Sequence, residues 1–483
     1  MRKLFALSMA AGLMTVMSCS TTDEPTPTTT TSTTGNVVEI SSSKEGTGTV
    51  TWSADSVYKL NGFVFVNEGQ TLTIEPGTVI KGLPGQGSGA SALIIAKGGK
   101  IMAEGTADKP IIFTAVADDM NGSVPDDAVS LWGGVIILGK ATTSNIGEKS
   151  IEGIPSDTET RGVYGLPVSE GEGDDTDNSG VFKYVSIRHG GSVIGADNEI
   201  NGLSLGAVGS GTTIDHVEIL SNFDDGIEFF GGAVNLSNVA IIYPGDDGLD
   251  IDEGFHGHIQ NALTLHTEQT LQSSDPRSGE WDGGNGTPEG YKPYANAVLA
   301  NVTFVFEGSG ITNAAIMRDN NSNRVFNCIF TGQDAPFAVE YRSDKAEFDG
   351  DKADSTAGSS WHRVMNGDAL ISNNLFYDVN GVTDQANVLD IFKADFAESE
   401  TDAVMATVSA GLKTKVANNQ VGNPGFGSGV NMYKPTGSAV TADIATLPSE
   451  TGLTQLNYKG AVDPAGEPFY AGWTYFSEIL SRN

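Results

Sequence analysis

Asp224-Asp225-Gly226-Ile227-Glu228 returns 22 residues later as Asp246-Asp247-Gly248-Leu249-Asp250, and the apolar residues between the copies keep the same interval. Val217-Glu218-Ile219 becomes Val239-Ala240-Ile241. A fixed interval that carries both a strand-like triplet and an Asp-Asp-Gly turn is the pattern of a coil stacked on itself. Equivalent side chains then lie one above the other, and the acids form columns. Val217 and Ile219 are predicted to point inward and Glu218 outward.

Working outward, short β-rich runs recur: Leu72-Thr73-Ile74, Leu93-Ile94-Ile95, Ile111-Ile112-Phe113, Val135-Ile136-Ile137, Val185-Ser186-Ile187, Val302-Thr303-Phe304 and Leu375-Phe376. Gly, Asn and Asp turns separate them. Apart from a helical pattern over 394–408, nothing supplies helical crossovers between parallel strands. The chain is therefore predicted to be all-β, a single-stranded right-handed parallel β-helix with long loop insertions, over residues 36–483. Polar insertions are expected at 117–130, 142–180, 267–294 and 343–365. Trp281, Tyr291, Tyr294 and Trp361 fall in the last two, where exposed aromatics beside a groove would stack on sugar rings.

The amino end has its own logic. Arg2 and Lys3 precede an apolar stretch from Leu4 to Met17 that is too short to span a bilayer, which marks 1–18 as a secretory leader. Residues 19–35 are rich in Thr, Pro and Ser and read as an extended tether. Cys19 and Cys328 are the only cysteines, so no disulfide framework is expected, and Cys328 in its strand-like run is assigned to the core. A formal charge of -34 excludes nucleic acid and anionic membrane surfaces as natural partners.

Several motifs carry resemblances. Val16-Met17-Ser18-Cys19 resembles a bacterial lipobox, which implies that Cys19 is lipidated and anchors the protein in the outer membrane. Asp23-Glu24 just beyond it resembles the surface-export signal of Bacteroidota lipoproteins and implies display toward the cell exterior. Gly69-Gln70-Thr71-Leu72-Thr73-Ile74-Glu75-Pro76-Gly77-Thr78, Trp132-Gly133-Gly134-Val135, Tyr184-Val185-Ser186-Ile187-Arg188-His189-Gly190-Gly191, the Asp-Asp-Gly coils, Tyr458-Lys459-Gly460-Ala461 and Ala471-Gly472-Trp473-Thr474 carry a wider one. With these, residues 36–483 resemble Bacteroidota surface lipoproteins built on a right-handed parallel β-helix, related in fold to the pectate-lyase-like superfamily. The resemblance implies a fold and an address rather than an activity.

Stacked strands lie about 4.8 Å apart, so Asp224 over Asp246, Asp225 over Asp247 and Glu228 over Asp250 crowd like charges. At an effective dielectric near 20 each pair costs on the order of 3 kcal/mol before screening. Three arrangements relieve this: side chains splayed onto turn amides, a bound Ca2+ with Asp252 and Glu253 as further donors, or shared protons. Catalysis is a further expectation. Asp225, Asp246, Asp247 and His258 resemble the active-site residues of polygalacturonase-type hydrolases, although His256 and His258 follow Asp247 by only 9 and 11 residues instead of a full coil. A lyase acting on polyuronates would need an Arg or Lys base, for which Lys183, Arg188, Arg318 and Arg324 are available, with His189 beside them. The expected partner is an extracellular polymer, a glycan, or another surface protein.

Overall fold

The computed structural model describes residues 36–482 except 157–158, 168–171, 196–197, 285–291, 343–358 and 397–398. The leader, Cys19, the tether and Tyr291 lie outside the described residues. Three walls of parallel strands wind into a β-helix. The first wall is a sheet of ten parallel strands from Phe63–Val66 to Phe392–Phe396, and it includes Leu203–Gly206, Ile227–Phe230, Leu249–Asp252, Gly279–Asp282, Ala315–Arg318 and Phe337–Tyr341. The second and third walls share an 18-stranded sheet. Four long strands, Gly180–Arg188, Thr213–Asn222, Asn235–Pro244 and His258–Thr267, run through both walls. Each turns the corner at one residue with positive φ: Tyr184, His216, Asn238 and Asn261. A single left-handed residue bends the chain without ending the ladder, and Asn tolerates that conformation best among residues with a side chain.

The 22-residue register holds. Ile227 pairs with Leu249 and Glu228 with Asp250 on the first wall, and Val217 pairs with Val239 and Ile219 with Ile241 on the third. Leu249, Ile251, Val217 and Ile219 fill the lumen. Gly226 is required here, because a Cβ would sit 2.2 Å from Ile241 Cγ2 and 2.8 Å from the Gly248 carbonyl oxygen. Cys328 is buried and free, and its sulfur accepts the Val302 N–H at 3.4 Å.

Two expectations about elements are corrected. The interval 267–294 contains a coil of its own, the strand Gly279–Asp282, rather than a continuous insertion. The helix expected over 394–408 is Asp402–Lys415, and the residues before it form the strand Phe392–Phe396. Thr401 starts the helix by accepting the Val404 N–H. Beyond the last strand, Gln420–Val421, the chain doubles back along the outside of the coils. Asn327 accepts the Ala445 N–H at 2.8 Å, Gln260 and Thr454 exchange hydrogen bonds, and Thr303 Oγ1 accepts the Ala461 N–H at 2.8 Å. This strap buries the outward face of the third wall: Leu220, Ile242, Leu263 and Leu265 pack against Tyr470, Phe476 and Leu480.

Candidate functional site

The acids gather where the turn from the third wall enters the first. Their first task is structural. Asn201 Oδ1 accepts the Asp225 N–H at 3.2 Å, Asp225 Oδ1 accepts the Asp247 N–H at 2.8 Å, and Asp247 Oδ1 accepts the Arg277 N–H at 2.6 Å. One oxygen of each carboxylate thus closes a ladder between successive coils, which is the splayed arrangement the Asp-Asp-Gly turns suggested. Glu228 is tied at 2.5 Å to Asn201 Nδ2.

Carboxylate oxygens also converge here. Asp224, Asp225 and Asp246 bring carboxylate oxygens within 4.8 Å of one another, and Asp225, Glu228 and Asp250 do the same, so Asp225 belongs to both triads. Asp246 Oδ1 and Asp250 Oδ1 are shielded from solvent and lack a hydrogen-bond partner. Buried acceptors without donors are costly. An all-carboxylate oxygen set is the donor chemistry of a hard divalent cation. Asp247 and Asp252 fall outside both triads. Burial, reinforced by neighbouring carboxylates, holds Asp224, Asp225, Glu228, Asp247 and Asp250 well above the usual carboxylate range. Burial raises Asp246 as well.

Further along the same wall, arginines neutralise the columns. Arg277 pairs with Asp275 and Glu280 and lies 3.8 Å from Asp247. Arg318 grips Asp282 through two bonds of 2.8 Å and also pairs with Glu280. Over the coils before them, a flap from the second insertion roofs the wall. Its strands Lys149–Ser150 and Val163–Tyr164 pair antiparallel. Glu253 pins them, accepting from Tyr164 Oη at 2.6 Å and Asn145 Nδ2 at 2.7 Å and pairing with Lys149. Between flap and wall lies a cleft of 360 Å³ whose lining includes Glu152, Glu228, Phe230 and Asp252. Burial, with Glu199 and Asp252 adding repulsion, pushes Glu152 up to about 7.

Residues 44–422, spanning this site and nearly all the coils, match the family model described as a pectate-lyase-like beta helix domain. The chain belongs to that family. Comparisons with curated proteins and with solved structures find no match.

Within this pectate-lyase-like β-helix, the expected catalytic group does not assemble. His258 begins the second wall, across the first wall from the acids, where its backbone N–H bonds to Asn235 and burial holds its imidazole below the ordinary histidine value. His256 faces Asp175 at 3.2 Å. Among the expected bases, Lys183 pairs with Asp215, Arg188 is buried against the Tyr475 ring, and Arg324 pairs with Glu450. Arg318 alone of these stands on the acid wall, and it is committed to Asp282 and Glu280. His189 is buried, with Nδ1 on the Ala128 carbonyl.

The aromatic expectation is corrected as well. Trp281 is 0 % exposed, pairs in register with Ile251 and packs on Phe304 and Phe337 in the lumen, so it offers no face to a ligand. Tyr294 is buried beneath Arg363. Trp361 anchors its helix, donating to the Val408 carbonyl at 3.0 Å and meeting Tyr341 edge-on. Glu152, Arg277, Glu280 and Asp282 were missed. The signal existed for the last two, because Glu280-Trp281-Asp282 repeats Asp250-Ile251-Asp252, but at an interval of 30 rather than 22 residues.

Proposed function

We propose that this protein is a lipid-anchored surface lipoprotein of the Bacteroidota type that binds an extracellular glycan on its first wall, with Ca2+ held by the carboxylate triads. The single observation that carries the cation is the pair of triads sharing Asp225, with Asp246 Oδ1 and Asp250 Oδ1 buried beside them and unbonded. Asp224, Asp225, Glu228, Asp246 and Asp250 would hold the ion. It would supply charge neutralisation and a coordination point for sugar hydroxyls. The carbohydrate part of the reading is supported by membership of the family and by the roofed cleft beside the triads. The lipid anchor is supported by the leader and the Val16-Met17-Ser18-Cys19 motif.

Adding Ca2+ to EDTA-treated protein is expected to raise its melting temperature, since a ligand that binds only the folded state stabilises it by mass action. A melt indifferent to Ca2+ removes the ion from the proposal. A glycan panel, read with and without Ca2+, tests the partner. For the anchor, Cys19→Ala is expected to move the protein from the membrane to the soluble fraction; retention with the membrane defeats that assignment.

A further inference from the structure

Tyr458-Lys459-Gly460-Ala461 holds a lysine to which neither the acid triads nor the roofed cleft gives a task. Lysine is almost never wholly buried without a charged partner, yet Lys459 is 0 % exposed. Its Nζ donates to Gln420 Oε1 at 2.9 Å, to the Ala439 carbonyl at 3.5 Å and to the Ala442 carbonyl. All three are neutral oxygens. Gln420 lies in the last strand of the third wall and Lys459 in the returning strap, so amine and carboxamide meet where the two runs of chain meet. The backbone pins both: the Gln420 N–H bonds to the Asn374 carbonyl at 2.9 Å and the Lys459 N–H to the Val440 carbonyl at 2.8 Å. On the far side of the carboxamide, Gln420 Nε2 donates to the Asp443 carboxylate. Burial, opposed by the Asp443 charge, brings Lys459 down to about 8, so the neutral amine, the form that attacks, is populated near neutral pH. A nucleophile, a carbonyl and a carboxylate on the leaving nitrogen are thus fixed against one another. An open cleft of 630 Å³ whose lining includes Gln420 and Asp443 gives the leaving group a way out.

We propose that Lys459 and Gln420 join in an isopeptide bond, an autocatalytic staple between the last coil and the strap. Lys459 Nζ forms a bond to Gln420 Cδ and the Cδ–Nε2 bond breaks. The proton that Nζ gives up passes through Asp443 to Nε2, which leaves as ammonia. No oxidant or second substrate is consumed, and the step is independent of the calcium and glycan readings.

The test is peptide mass spectrometry on the full-length protein, folded during expression, then purified, denatured and digested. Trypsin is expected to spare Lys459, whose amine is consumed, and to release 416–482 as one peptide lighter than its sequence by one ammonia, Lys434 being shielded by Pro435. A further cut after Glu450 is expected to leave the two parts joined. Asp443→Asn keeps an oxygen for the Gln420 amide and suits the left-handed backbone at 443, where φ is 47°, so it is expected to melt as wild type does. Its yield of linked peptide in fresh protein is expected to fall by about ten-fold or more. Release of unmodified 416–459 and 460–482 from the wild type overturns the proposal and leaves Lys459 a buried ammonium clip. A loss of ammonia that persists in Lys459→Met lies elsewhere and overturns it too. An unchanged yield in Asp443→Asn overturns the proton route and spares the bond.

Discussion

At the scale of single residues, the Asp225 carboxylate does two things. Oδ1 fastens the next coil by accepting the Asp247 N–H, and the carboxylate belongs to both triads. Substitutions separate these tasks. Asp225→Asn keeps an oxygen for the amide and removes a carboxyl that burial and its neighbours make costly to ionise, so it is expected to melt no lower than wild type in EDTA and to lose the Ca2+ shift. Asp225→Ala leaves a buried N–H without an acceptor and is expected to cost about 1–3 kcal/mol in urea denaturation. Trp281 makes the contrasting case. Because it fills the lumen, Trp281→Ala is expected to cost about 3–5 kcal/mol with glycan affinity unchanged in whatever fraction stays folded, measured by denaturation and calorimetry.

Among the elements, the C-terminal helix Tyr475–Arg482 depends on a residue 257 positions away. Glu218 is outward on the third wall, as its strand pattern predicts, yet wholly buried. Its carboxylate accepts the N–H groups of Tyr475 and Phe476 at 3.0 and 2.7 Å and the Ser186 hydroxyl at 2.5 Å. A carboxylate at a helix N-terminus is favoured both by the free amides there and by the helix dipole. Glu218→Ala is expected to lower stability by about 2–3 kcal/mol and to make the strap an early target of limited proteolysis. Glu218→Gln should lose less. The strands and their stacking were legible because an inward-outward alternation and a repeated turn are local signals, and the Asp-Asp-Gly copies marked the acids that meet at the turn into the first wall. The flap, the arginines and the strap were not. Arg277 and Glu152 sit in irregular segments whose partners are set by three-dimensional closure, and residues 422–474 have no period because they take their shape from the wall they cover. Trp281 misled for a related reason, since an interval of 30 residues hid its coil inside an apparent loop.

For the molecule as a whole, the crowd of buried acids couples stability to pH. These carboxyls have folded values above their ordinary ones, so the folded state holds more protons than the unfolded chain, and stability falls as they are stripped. For Glu152 the loss runs from 4.5, its ordinary value, to about 7. In EDTA the melting temperature is therefore expected to decline between pH 4.5 and pH 7, and Ca2+ is expected to flatten the slope by standing in for the protons. A melting temperature that climbs across this window would show that the acids are compensated in another way. The groups with depressed values, Asp175 beside His256 and Asp215 beside His216, act below this window, where their contribution is lost on acidification. The returning strap carries one more consequence. A solenoid ordinarily grows or shrinks by duplicating or dropping a rung, but here a second run of chain retraces the first with fixed handholds at Asn327, Thr303, Gln260 and Glu218. Any rung gained or lost between those points would throw the two runs out of step, so the length of this stretch is locked in a way that the coils before it are not.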